Sequence, residues 1–206
     1  MKQILILNGS IRGTLGNSFV LANIAKNYLE KNCSVVATII NLSEYSDTVD
    51  NIYTTIYGAN GFLIITGTYW NNCGSPFQRF IEITTPLENK KHFLGKPIAC
   101  LVSMDSVGGI DVINKIQTAL FGFGCWSPPN SSLVISRVCE EVKSLNNKMN
   151  IDVWGLHDID VVLDNLVLAT KTVETIWRTW EVDNLINKDN ICLEDGNLDM
   201  DKPKFL

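Results

Sequence analysis

Five short apolar runs punctuate the chain, at 3–7, 34–40, 61–66, 98–103 and 132–136, each rich in leucine, isoleucine and valine and nearly unbroken. Runs of this kind suit strands buried on both faces, because a half-solvated strand would carry a polar residue at every second place. Between them the spacing turns helical. Phe19, Val20, Leu21, Ile24, Ala25, Tyr28 and Leu29 form one stripe; Val49, Ile52, Tyr53, Ile56 and Tyr57 form another, with Ser46 placed to cap it. A third helix opens at Ser75-Pro76, read as cap and first helical residue, and points Phe77, Phe80, Ile81 and Thr84 inward. Phe121, Gly122 and Gly124 mark the end of a fourth, and a longer stripe runs over 157–180 through Leu163, Leu166, Val167, Thr170, Val173, Ile176, Trp177 and Trp180.

Strands alternating with helices across short links predict an α/β domain with helices on both faces of a five-stranded parallel sheet. Five strands favour a three-layer sandwich of flavodoxin-like order 2-1-3-4-5, with a Rossmann order left open. With 206 residues and 46% hydrophobic content, the chain fits one domain, 1–180. Residues 181–206 form a polar, acidic tail, read as a flap, a partner-binding arm or a disordered segment.

Charge narrows the partners. A net charge of -5, without any local lysine or arginine cluster, offers no footprint for nucleic acid. The first apolar stretch ends at Asn8, too short for a signal-peptide core, and no later run has membrane-spanning length. The expectation is a cytoplasmic protein with no membrane partner. Six cysteines (Cys33, Cys73, Cys100, Cys125, Cys139 and Cys192) are scattered without a C-x-x-C pair, so they read as reduced thiols, and no metal site is expected.

The first loop, "NGSIRGTLGNS" at 8–18, carries the most chemistry. Glycines and small hydroxyls between a strand and a helix leave N–H groups unpaired and aim the helix dipole at the loop, an arrangement that holds anions. A P-loop would need lysine after its last glycine, where Asn17 stands. A dinucleotide fingerprint would need differently spaced glycines and an acid ending strand two, where Asn41 stands. A phospho-receiver would need acids where Asn8 and Thr66 stand. What remains is a monophosphate loop of Ser10, Arg12, Asn17 and Ser18, with FMN the best candidate; a plain capped turn with a surface arginine is the alternative.

Ligands of open α/β sheets lie beyond the strand carboxyl ends. After strand three, "TGTYWNNCGSP" brings Thr68, Tyr69, Trp70 and Asn71; around the end of strand four, "SMDSVGG" brings Ser103, Asp105, Ser106, Gly108 and Gly109. Aromatics and closely approaching backbone suit a flat ring, while core packing or a dimer contact would equally use the aromatics.

These three segments together resemble the NADPH-dependent FMN reductase family over about 3–136. Gly9, Ser10, Arg12, Asn17 and Ser18 occupy its Gly-Ser-x-Arg and Asn-Ser positions. "GTYWNNCGSPFQRFIE" is similar to its second signature at Tyr69, Phe80, Ile81 and Glu82, departing from it at Gly67, Asn71 and Gln78. Gly95, Lys96, Pro97, Gly108 and Gly109 fit the third, with Met104 and Asp105 where glycines are commoner.

The resemblance implies that hydride passes from NADPH or NADH to FMN and on to a quinone, azo compound, flavin or similar small acceptor. It also implies a homodimer or homotetramer. Because the flavin carries the chemistry, no catalytic side chain is assigned. His92 and His157 read as solvated or capping residues, and Cys73 as a small loop residue in preference to a redox thiol. Two rivals stand beside this reading: a flavodoxin-type electron carrier without enzymatic activity, and a flavodoxin-like binding protein that has lost the flavin.

Overall fold

The computed structural model describes residues 1–44, 49–145, 155–172 and 177–179. The chain divides into two units, Met1–Thr175 and Ile176–Leu206, and the fold is that of the first. Five strands, β1 (Gln3–Asn8), β2 (Val36–Asn41), β3 (Gly61–Gly67), β4 (Ile98–Met104) and β5 (Ser132–Ser136), form one parallel sheet in the order β2-β1-β3-β4-β5. The helices are α1 (Asn17–Asn32), α2 (Val49–Gly58), α3 (Ser75–Thr84), α4 (Gly109–Gly122), α5 (Arg137–Leu145) and α6 (Ile159–Ala169).

Alternation within the buried strands builds the three layers, since successive side chains leave opposite faces of a sheet. Leu5, Leu7, Phe62, Ile64, Cys100 and Val102 point to one core, completed by Ile52 and Ile56 of α2, Phe77 and Phe80 of α3, and Val112 and Ile116 of α4. Ile4, Ile6, Leu63, Ile65, Ala99 and Leu101 point to the other, completed by Leu21, Ala25 and Leu29 of α1 and Leu163 and Leu166 of α6. Both faces are covered, hence the unbroken apolar runs.

Three local expectations change. The last helix stops at Ala169, well short of 180. Thr170 and Thr172 turn their hydroxyls back to the carbonyls of Val167 (2.7 Å) and Ala169 (2.6 Å), satisfying acceptors that further helix would have used. Trp177 is described outside any helix; Ser46, Val173, Ile176, Trp180, Cys192 and the tail 181–206 lie outside the described residues. The N-cap of α3 is Gly74, with Ser75 and Pro76 already in its first turn and no side-chain cap bond. Helix α5, directly after β5, was not anticipated at all. Among the described residues, no helix is long and apolar enough to cross a membrane.

Candidate functional site

Register brings the loops together. Asn8 pairs with Asn41 on one side and Ile65 on the other, Met104 pairs with Ser136, and the ends of β1, β3, β4 and β5 face one cleft. Buried Asn8 shapes the first loop: its Nδ2 donates to Asn41 Oδ1 (2.9 Å) and Gly13 O (3.2 Å), and its Oδ1 accepts from the Ser10 N–H (3.2 Å). Ser10 Oγ in turn accepts from the Arg12 N–H (3.3 Å). In the sequence alone Asn8 and Asn41 stand out only as positions without an acid.

The loop then enters α1 without a side-chain cap, its N-cap being Gly16. Among the described residues nothing accepts from the N–H of Ile11, Asn17 or Ser18, and no carboxylate pairs with Arg12. Unpaired donors at a helix N-terminus, joined by a free guanidinium, form a cradle for a phosphate dianion. A Cβ on Gly16 would stand 2.8 Å from Ser10 Oγ, so the glycine keeps this cradle open.

The cleft, about 290 Å³, is lined by Ser10, Arg12, Gly16, Asn17, Ser18, Gly67, Thr68, Tyr69, Ser103, Met104, Asp105 and Arg137. Ser18 Oγ lies 3.4 Å from Ser103 Oγ across its floor, and the Thr68 N–H donates to Ser103 O (3.1 Å), joining the loop after β3 to the end of β4.

Eight of the anticipated residues line this cleft: Ser10, Arg12, Asn17, Ser18, Thr68, Tyr69, Ser103 and Asp105. Trp70, Asn71, Ser106, Gly108 and Gly109 do not. Tyr69 and Asn72 exchange backbone hydrogen bonds (2.9 and 3.0 Å) around Trp70 at φ 48° and Asn71 at φ 57°, a type I′ turn that carries the Trp70 ring fully into solvent. Left-handed backbone explains why asparagine serves at 71, where the family pattern has glycine. Ser106 is exposed. Gly108, at φ 90°, lies against Asn71, and a Cβ on Gly109 would overlap Val134 Cγ1, so the two glycines let α4 pack against its neighbours.

Arg137 is the residue that sequence reasoning missed. It opens α5, lines the cleft, and its Nε donates to Asp105 Oδ1 at 2.6 Å. Asp105 is therefore an ion-paired carboxylate.

Neither histidine is in the cleft. His157 is exposed, 3.3 Å from Asp158. His92 is half-buried rather than solvated, edge-on to Tyr53 and Tyr57, and burial lowers its pKa. Burial raises the Cys73 thiol above its ordinary value, which opposes a thiolate there. Among the described residues no three His, Cys, Asp or Glu side chains group as metal ligands.

A family model described as NADPH-dependent FMN reductase matches residues 2–139. The chain belongs to this family. Solved structures carry the same fold. The structure of RosB with bound 8-demethyl-8-formylriboflavin-5'-phosphate superposes with TM-score 0.67 at 14% identity, covering 90% of this chain and 85% of that one. The apo form of an NADH:FMN oxidoreductase, EMOB, gives 0.64 at 13% identity, covering 84% and 92%. The NAD(P)H:acceptor oxidoreductase FerB from Paracoccus denitrificans gives 0.58 at 15% identity, covering 82% and 97%. No protein of curated function matches the sequence. Family membership makes the reductase an FMN-dependent enzyme with NAD(P)H as co-substrate, in place of the carrier and flavin-free alternatives.

Proposed function

We propose that the reductase passes electrons from NADPH or NADH, by way of FMN, to a small flat acceptor such as a quinone, an azo compound or a free flavin. The observation that carries this reading is the unpaired cradle of the first loop. Arg12 and the N–H groups of Ile11, Asn17 and Ser18 want an anion, and Ser10 and Ser18 add hydroxyls to the same end of the cleft. When bound, FMN supplies two-electron exchange between nicotinamide and acceptor. The protein's part is to grip the phosphate at the β1 end, to flank the ring with Tyr69 and the backbone of 103–105, and to limit water around it.

We place the enzyme in the cytoplasm, in keeping with the free thiols at Cys33, Cys73, Cys100, Cys125 and Cys139. We also read it as a homodimer or homotetramer. Exposed Val107 and Ile110, just after β4, would be covered by a second copy.

The visible spectrum of the isolated protein tests the cofactor, and anaerobic bleaching by NADPH or NADH tests the enzyme. Reoxidation by members of an acceptor panel then ranks the acceptors. Protein that takes up no FMN on titration would refute the reading.

A further inference from the structure

Asp105, just past the end of β4, is held from three directions by the end of β5 and the beginning of α5. Arg137 Nε donates to its Oδ1 at 2.6 Å, Ser136 Oγ donates to its carbonyl at 3.0 Å, and the Val138 N–H reaches the same oxygen at 3.4 Å. Arg137 Nη1 donates to Glu141 Oε1 one helical turn on, at 2.5 Å. Two of its three nitrogens are therefore engaged. The third, Nη2, has no partner among the described residues, and Arg137 lines the cleft.

The sheet order separates the two arginines of the cleft. Arg12 follows β1 and Arg137 follows β5, three strands away, which is ~14 Å at about 4.8 Å per strand. One phosphate does not span that distance. With the phosphate at Arg12, Arg137 stands toward the opposite end of the cleft, beside the loop after β4.

We propose that Arg137, oriented by Asp105 and Glu141, presents its free edge to the ring end of bound FMN and favours the reduced over the oxidised cofactor. This rests on the FMN reading of the cleft. Hydride uptake adds one negative charge to the ring system, and a fixed guanidinium nearby stabilises that added charge. Asp105 and Glu141 oppose it. Removing Arg137 leaves two carboxylates uncompensated, whereas removing Glu141 leaves the guanidinium less neutralised. A ring that excludes water from the cleft strengthens each of these terms, which solvent otherwise screens.

The test is anaerobic potentiometry on FMN-loaded wild-type protein and on Arg137→Gln, Arg137→Lys and Glu141→Gln. Arg137→Gln should shift the preference toward oxidised FMN by about tenfold, ~30 mV downward for a two-electron couple. Glu141→Gln should move the potential upward, Arg137→Lys should stay near wild type, and added salt should shrink every difference. An FMN-loaded Arg137→Gln variant with an unchanged or raised potential overturns the assignment alone. Should Arg137→Gln fail to fold, an unchanged or lowered potential in Glu141→Gln does the same. Wild-type protein that binds no FMN overturns the cofactor reading and this assignment with it.

Discussion

Gly74 lies so close to Gly9 that a methyl group on Gly74 would overlap the Gly9 carbonyl oxygen. The contact locks the start of α3 against the phosphate loop, reinforced by Thr66, whose Oγ1 accepts from the Gly74 N–H (3.3 Å) and reaches toward Gly9 O (3.4 Å).

Gly74→Ala should therefore destabilise the fold. The backbone there has φ -64°, open to any residue, so the penalty is steric rather than torsional. Overpacking against rigid backbone costs on the order of 1–3 kcal/mol. Urea unfolding should show a lower midpoint with the slope unchanged, and FMN titration should show weaker binding. A variant with the wild-type midpoint would mean that α3 shifts freely.

On the other face of the sheet, Asp164 of α6 accepts from Tyr28 Oη (3.1 Å) and Cys33 Sγ (3.4 Å) of α1 and its C-cap. Burial first, then the hydrogen bond to Asp164 and its charge, raises Cys33 from 9.0 to about 11 and Tyr28 from 10.0 to about 12. The folded state then holds protons that the unfolded state releases. Their contribution to stability is complete below pH 9 and is lost as pH rises through 11 and 12. Asp164→Asn removes the charge, so the alkaline decline in urea midpoint should become shallower. Equal slopes in both proteins would exclude this pair of groups as its source.

Trp70 was expected beside the ring, yet its side chain is fully exposed on the type I′ turn and makes no packing contact to lose. Trp70→Ala should leave apo-protein stability within about 0.5 kcal/mol of wild type, and FMN affinity unchanged in titration. A marked loss of affinity would show that the turn folds over the cleft when flavin binds.

What the sequence disclosed follows from how each signal is encoded. Parallel strands covered on both faces read as unbroken apolar runs, so all five were visible, and the glycine-serine-arginine loop after β1 announces itself within a few residues. Helix α5 offered no such signal, because it follows β5 without a link and leaves Val138 and Val142 exposed. Arg137 and Asp105 are 32 positions apart and meet only because β4 and β5 pair Met104 with Ser136. Asn8 and Asn41 meet across β1 and β2 in the same way. Adjacency in sequence misleads in the opposite sense: Trp70 neighbours a cleft residue, but the turn directs it outward.

The phosphate cradle makes the sharpest demand on one side chain. Arg12 is exposed, carries no carboxylate partner among the described residues, and sits beside unpaired N–H groups at the start of α1. Hydrogen bonds to charged groups contribute about 1.5–3 kcal/mol, so Arg12→Ala should weaken FMN about 10- to 100-fold. Riboflavin, which lacks the phosphate, should bind both proteins alike. Arg137 leaves this contrast intact, being some three strands distant and addressed to the other end of the cleft. Added salt should reduce the wild-type preference for FMN over riboflavin, since an exposed guanidinium is screened. Titrating both flavins into both proteins separates a phosphate contact from damage to the loop: equal losses for the two flavins would make Arg12 structural, and no loss for either would make it a surface residue.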